Sequence, residues 1–104
     1  GLLQTLSIFN RLTTNDYTMG LKIAGTGTID VSGNVGAIGA IKQKVITASN
    51  NNADIFFCPK ANSEEGKSAY DSLSSSKRKK MKFVIVEKFS DATNYLKELY
   101  EATN

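Results

Sequence analysis

Lys42 and Lys44, two residues apart on a predicted helix, are the side chains of this sequence best suited to acid–base chemistry. A lysine accepts a proton only as a neutral amine, which requires burial or a neighbouring cation to lower its pKa. Ile41, Val45 and Ala48 form the apolar face of the helix, and each lysine lies at one edge of that face. Helical geometry therefore does not choose between them. An equally good interpretation is that both aliphatic stems cover apolar surface while both ammonium groups reach water.

The sequence contains no histidine, so a histidine base and a histidine-containing zinc site are excluded from it. A proton acceptor must then be a carboxylate or a lysine. The acidic residues Glu64, Glu65 and Asp91 come shortly after Ser63 or Ser90, which is typical of helix starts rather than of a catalytic carboxylate pair. We therefore interpret these acids as structural, and Ser90 as the N-cap of the last helix.

Cys58 is the single cysteine, and its position after Ile55-Phe56-Phe57 indicates a core residue rather than a metal ligand. The net charge of +3 is too small to indicate a nucleic-acid-binding protein. We interpret the basic run at residues 77–80 as the solvated end of a helix, where cations interact favourably with the helix dipole. No cofactor, no metal and no nucleic-acid partner is predicted.

Glycines flank Thr26 on a strand that precedes the lysine helix. Gly25 and Gly27 suit a strand that another backbone or an extended substrate approaches closely, although a simple bulge uses the same residues. Thr26 itself is compatible with ordinary β-propensity on a sheet face. The glycines from Gly33 to Gly39 match neither G-x-x-x-x-G-K-[ST] nor G-x-G-x-x-G, so a phosphate-binding loop is not predicted.

The chain has 104 residues, enough for one domain with one modest core. Periodicity and turn residues predict helices, a hairpin around Ser32-Gly33 and two later strands, in the order α-ββ-α-β-α-β-α. The fold class is α+β, a mixed sheet with helices packed on it. The predicted helices cover residues 1–12, 40–49, 63–73 and 90–100, and the predicted strands cover residues 21–30, 34–38, 54–58 and 81–86.

The stretch Gly25-Thr-Gly-Thr-Ile-Asp30, followed by Gly33-Asn-Val-Gly-Ala-Ile-Gly-Ala-Ile-Lys-Gln-Lys44, resembles the lysine half of the Ser-Lys dyad of Lon-type serine peptidases. In that family the pattern is Gly-Gly-Leu/Ile-Lys-x-Lys, and its second lysine, the base, falls on Lys44. The threonine that hydrogen-bonds the base falls on Thr26. The resemblance thus implies Lys44 and Thr26 as catalytic residues, with Gly25 and Gly27 beside the substrate.

The nucleophile of that family lies in a Gly-Pro-Ser-Ala-Gly stretch at the start of a helix, and Gly1-Leu2-Leu3 resembles the residues just after Ser-Ala. The resemblance therefore implies that residues 1–104 are the C-terminal part of a single Lon-like proteolytic domain, without the serine and inactive alone. One departure is Ala40, where the family usually has the second glycine. If that position needs a positive φ, Ala40 strains the turn into the base helix.

Two motifs, Gly-Thr-Gly-Thr-Ile-Asp and Ala-Asp-Ile-Phe-Phe-x-Pro, resemble the PDZ-linked, ATPase-free, membrane-anchored branch of the family more closely than the ATP-dependent branch. This implies a membrane-anchored parent with an extracytoplasmic domain, whereas residues 1–104 themselves are expected to be soluble. The family also implies protein or peptide substrates and homo-oligomeric rings, commonly hexamers. We expect a largely buried Lys44 ammonium, within reach of the Thr26 hydroxyl directly or through one water, and self-association of the chain.

The alternative function is that of a non-catalytic Lon-like binding or assembly module with the same fold. The presence of both Thr26 and Lys44 argues against this alternative, because a module that performs no catalysis has no need of either residue.

Overall fold

The computed structural model describes residues 1–6, 19–25, 27, 29–37 and 39–103, of which residues 2–6 are helical. The class is α+β, as predicted. The further elements of the described chain, in order, are β1 (Ile23–Gly25), α1 (Ile41–Asn50), β2 (Ile55–Pro59), a 3-10 turn (Lys60–Asn62), α2 (Ser63–Asp71), α3 (Ser75–Lys80), β3 (Lys82–Val86) and α4 (Phe89–Thr103).

β2 is the central strand of a three-stranded parallel sheet with the order β1-β2-β3. Ile55 of β2 pairs with Ile23 of β1 on one side and with Lys82 of β3 on the other. All five residues of β2 are buried, as expected of a strand with neighbours on both edges and helices on both faces. Parallel neighbours require crossover connections, which α1 provides before β2, and α2 with α3 before β3.

The core occupies both faces of the sheet because side chains alternate along β2. Phe56 and Cys58 pack with buried residues of α1 and α2, whereas Ile55 and Phe57 pack with residues 2–6 and α4. Cys58 is fully buried, which confirms that it is a core residue. Its burial raises the pKa of the thiol to about 11, so the sulfur stays protonated.

The predicted hairpin is present, and its described residues include less strand than expected. In the described residues the antiparallel pairing within the hairpin is the isolated bridge of Ile29 with Val35, and a second bridge joins Asn34 to Lys88, outside the hairpin. Asp30 holds the turn, since its Oδ1 accepts hydrogen bonds from the backbone N–H groups of Ser32 and Asn34, each at 2.9 Å. The hydrogen bonds from Asn34 are the main cause that lowers the pKa of Asp30. A local side-chain turn thus closes the hairpin.

The start of α4 corrects one prediction. The helix begins at Phe89, so Ser90 is not its N-cap. The capping group is Asp91, whose Oδ2 accepts hydrogen bonds from the N–H groups of Lys88 at 2.9 Å and Glu87 at 2.8 Å. These bonds, first that from Lys88, lower the pKa of the Asp91 carboxyl. An acid inside the first turn that reaches back to the N–H groups before the helix acts as in a capping box, and here it satisfies two donors at once.

The basic run was predicted as a helix end, and it occupies the last turn of a short separate helix, α3. At the other end of the chain, Leu2 and Leu6 of the predicted first helix are buried, while residues 7–12 of that helix lie outside the described residues. None of the helices in the described part of the chain is both long and apolar enough to cross a lipid bilayer.

Candidate active site

A cavity of about 300 Å³ lies between β1 and α1, and it is called the β1–α1 cavity below. Lys44 lines it, whereas Lys42 does not, so the packing of α1 against β1 distinguishes two lysines that helical geometry leaves equivalent. Its lining consists of Lys22, Ala24, Gly25, Lys44, Thr47, Ala48, Asn51, Ala53 and Phe56.

Three buried residues of α1 set the position of Lys44. Ile41, Val45 and Ala48 are at most 7% exposed and pack on the sheet, which leaves Lys44 at the edge of the apolar face toward β1. The Lys44 N–H donates a hydrogen bond of 3.1 Å to the Ala40 carbonyl, which closes the first turn of the helix.

Ala40 precedes α1 in a left-handed conformation, with φ 55° and ψ 37°. The left-handed region costs a residue with a Cβ roughly 1–2 kcal/mol relative to the right-handed one. The strain that the sequence predicted for this position is therefore found, four residues before Lys44. An alanine here has the backbone geometry for which glycine is the ordinary residue.

The expected burial of Lys44 is wrong, because the residue is exposed. It lies at the edge of the apolar face of α1, and β1 is the outermost strand of the sheet that the structure describes, so no strand there covers the lysine. Thr26, the predicted hydrogen-bond partner of Lys44, lies outside the described residues.

Gly25 has a structural requirement of its own. Its φ is 136°, and a Cβ at this position would lie 2.5 Å from the Phe57 carbonyl oxygen and 3.0 Å from the Phe57 nitrogen. The close backbone approach predicted from the glycine is therefore found, and in this structure the approaching backbone is that of β2. Gly25 also lines the cavity with Lys44, whereas Gly27 does not.

Gly27 connects this region to the N-terminal helical segment. It is buried, and a Cβ there would lie 2.7 Å from Cγ1 of Val35. Its carbonyl accepts a hydrogen bond of 3.1 Å from the Leu2 N–H. Gly27 follows Gly25 by two residues, and two residues of chain span at most about 7 Å. The start of the helical segment therefore lies close to Gly25 and to the cavity of Lys44.

Two polar residues of the cavity, Lys22 and Asn51, are not predicted from the sequence. The Lys22 Nζ donates a hydrogen bond of 2.7 Å to the Asn51 carbonyl, and the Lys22 N–H donates one of 2.8 Å to Asp54 Oδ2. These contacts join residues about thirty positions apart, and no local pattern marks them. The charged residues lining the cavity are Lys22 and Lys44, so the cavity is positively charged.

No group of three or more histidine, cysteine, aspartate or glutamate side chains is arranged for a metal ion within the described residues. The site consists of Lys44, a neighbouring Lys22 whose ammonium group binds the Asn51 carbonyl, and a floor of small or aromatic apolar residues.

The family model of the Lon protease (S16) C-terminal proteolytic domain matches residues 4–98. The chain belongs to this family, and membership supports serine peptidase activity and protein substrates in general terms. No curated protein shows a significant match to the chain.

Proposed function

We propose that this chain carries the general base of a Ser-Lys serine endopeptidase, with Lys44 as the base and Thr26 as the residue that orients it. The nucleophilic serine precedes Gly1 in the parent protein, so residues 1–104 are the C-terminal part of one proteolytic domain. The parent belongs to the PDZ-linked, membrane-anchored branch and acts as a homo-oligomeric ring outside the cytoplasm.

The observation that carries the proposal is the arrangement around Gly25 and Gly27. Gly25 shares the β1–α1 cavity with Lys44, and the Gly27 carbonyl binds the N–H of Leu2. A residue just before Gly1 therefore lies near the Gly25–Gly27 stretch, and the same stretch contributes Gly25 to the cavity of Lys44. A serine–lysine pair needs this proximity, since proton transfer requires heavy atoms at about 2.6–3.2 Å or one bridging water.

In the proposed mechanism, Lys44 carries the proton in both acylation and deacylation of the serine. The Lys44 amine takes the proton of the serine hydroxyl as its oxygen attacks the substrate carbonyl, and the resulting ammonium returns a proton to the leaving amine. The acyl group stays on the serine until water, activated by the same amine, releases it. A substrate held as an extended strand beside Gly25 and Gly27 excludes water from the exposed lysine as it binds.

The test compares the parent protein with its Lys44→Ala variant on an unstructured protein substrate. We expect loss of activity by several orders of magnitude, because removal of one member of a nucleophile–base pair costs nearly as much as removal of both. Lys42→Ala is the matched control, two positions away on α1 but outside the cavity, and it should retain activity. The isolated 104-residue chain should hydrolyse nothing. Equal losses in the two variants would refute the role of Lys44.

The exposure of Lys44 favours a second candidate, a non-catalytic module that binds partners through the same surface. The residues encoded directly before Gly1 separate the two functions. Ser-Ala at those positions supports the peptidase, and any pair without a nucleophile supports the binding module.

A further inference from the structure

A second cavity, of about 260 Å³, lies between the C-terminal end of α1 and helix α3, and it is called the α1–α3 cleft below. Its floor is Ala53 and Met81, both at most 2% exposed. Its polar side chains are hydroxyl, amide or ammonium groups and include no carboxylate. They belong to Ser49, Asn50, Asn52, Ser76, Lys77 and Lys80.

The positive charge of the cleft is uncompensated. Lys77 and Lys80 are both exposed, and Lys77 Nζ donates a hydrogen bond of 3.3 Å to the neutral Asn50 Oδ1. The ion pairs found in the described part of the chain involve other lysines, Lys60 with Glu87 and Lys67 with Asp71. The two cleft lysines are therefore free to bind an anion without first giving up a carboxylate.

The wall formed by α3 is held in place although the helix has six residues. The Tyr70 hydroxyl lies 2.7 Å from the Arg78 carbonyl oxygen and 2.8 Å from that of Met81. Arg78 Nη1 donates hydrogen bonds to the carbonyls of Asp71, at 2.9 Å, and Leu73, at 2.8 Å. The C-terminal half of α3 is thus fixed to α2 and to the turn that follows α2, so little ordering of this backbone is needed when a ligand binds.

The C-terminal end of a helix ordinarily repels anions, because its last carbonyls carry partial negative charge. At the end of α1 three of these carbonyls already accept backbone hydrogen bonds. The bonds run from Asn51 to Thr47 at 3.0 Å, from Asn52 to Ser49 at 3.1 Å and from Ala53 to Ala48 at 3.0 Å. The two lysines therefore dominate the charge that faces the cleft.

We propose that the α1–α3 cleft binds a phosphate group, with Lys77 and Lys80 as its cationic ligands and the serine hydroxyls and asparagine amides as further donors. The phosphate is either a free anion or the headgroup of an anionic lipid. The cleft accommodates one compact anion, and the net charge of the chain is +3, so an extended nucleic-acid strand is disfavoured. The site lies outside the β1–α1 cavity and does not depend on peptidase activity.

The first experiment titrates the isotope-labelled 104-residue chain with inorganic phosphate, at an ionic strength held constant with sodium chloride, and follows amide NMR signals. We expect shifts concentrated at Ser49, Asn50, Asn52 and Ser76. Lys77→Gln and Lys80→Gln should each weaken binding about tenfold, since each removes a charge-assisted hydrogen bond. Retained spectra of the unbound variants show that they remain folded.

Lys79→Gln is the matched control, because it removes the same charge from the same helix at a residue that does not line the cleft. It should change the affinity by no more than about twofold, as expected of an unpaired surface charge. Equal weakening by all three substitutions would mean diffuse attraction to a basic surface and would overturn the proposal. So would the absence of phosphate-specific shifts.

The second experiment identifies the source of the phosphate. Co-sedimentation with phosphatidylglycerol vesicles, compared with phosphatidylcholine vesicles, supports a lipid headgroup if Lys77→Gln abolishes it and Lys79→Gln does not. Binding of inorganic phosphate without vesicle binding supports a free anion. Vesicle or oligonucleotide binding that Lys79→Gln weakens as much as Lys77→Gln does would contradict a defined cleft.

Discussion

The β1–α1 cavity and the α1–α3 cleft lie against the same helix and share Ala53, yet they have different chemistry. Both contain two lysines and neither has a carboxylate in its lining. The neutral residues of the first are mostly small or aromatic and apolar, with Thr47 and Asn51 beside them, whereas those of the second are mostly hydroxyl and amide residues above an apolar floor. Charge alone therefore does not define a site. The neutral lining suits the first to a peptide segment and the second to a compact anion.

The two cavities also depend on different supports. The β1–α1 cavity depends on the close approach of β1 to β2 at Gly25, and the α1–α3 cleft depends on the Tyr70 hydroxyl that fixes α3. Helix α1 is common to both. Substitutions at these three places should therefore separate local effects from effects transmitted through the helix.

Gly25→Ala should have the largest effect on stability. Its Cβ would lie 2.5 Å from the Phe57 carbonyl oxygen at a φ of 136°, so both overlap and backbone strain oppose the folded state. We expect a loss of about 3 kcal/mol or more in the free energy of unfolding, measured by chemical denaturation. Gly39→Ala is the control, since a Cβ there meets nothing within 4 Å. Comparable losses in both variants would disprove the close approach of β1 and β2.

Tyr70→Phe should destabilise the α1–α3 cleft while leaving the β1–α1 cavity intact. The hydroxyl serves two backbone carbonyls, and its loss should cost about 1–2 kcal/mol in the free energy of unfolding. Amide hydrogen exchange should increase in α3 and not in β1.

Tyr95→Phe is the matched control for Tyr70→Phe. The Tyr95 ring packs edge-on against Phe57, and its hydroxyl makes no hydrogen bond in the part of the chain that the structure describes. This variant should be close to neutral. Faster exchange in β1 of Tyr70→Phe would show that the two cavities are not independently supported.

Ala40→Gly should have the smallest effect and the opposite sign. Glycine adopts a φ of 55° without a Cβ penalty, so we expect a gain of about 0.5–1 kcal/mol in the free energy of unfolding. The greater freedom of glycine in the unfolded chain offsets part of the relief. Thermal denaturation monitored by circular dichroism measures the gain. An Ala40→Val variant should lose stability, and a gain in that variant would exclude left-handed geometry at this position.

Local sequence was sufficient for the parts of the fold that depend on periodicity. The apolar run Ile55-Phe56-Phe57 before Cys58 predicted the central strand, and the apolar face of Ile41 and Val45 predicted α1. It was insufficient where one of several possible side-chain hydrogen bonds decides the boundary of an element. The capping of α4 by Asp91 instead of Ser90, and the separate helix α3, both depend on hydrogen bonds that the prediction did not consider.

The candidate site shows the same division. Motif spacing selected Lys44 and the glycines, and the family match over residues 4–98 supports the class of protein that the motif implied. The exposure of Lys44 and the link from Lys22 to Asn51 were not predictable, because burial and contact depend on which elements pack against α1.

The sequence by itself determined the α+β class, the helix that carries Lys44 and the membership of the Lon proteolytic family. Only the tertiary structure decided that Lys44 rather than Lys42 lines the β1–α1 cavity, that Lys44 is exposed there, and that Lys77 and Lys80 line a second cleft. Periodicity fixes which face of a helix is apolar, but two residues at the edges of that face are equivalent until a strand packs beside one of them.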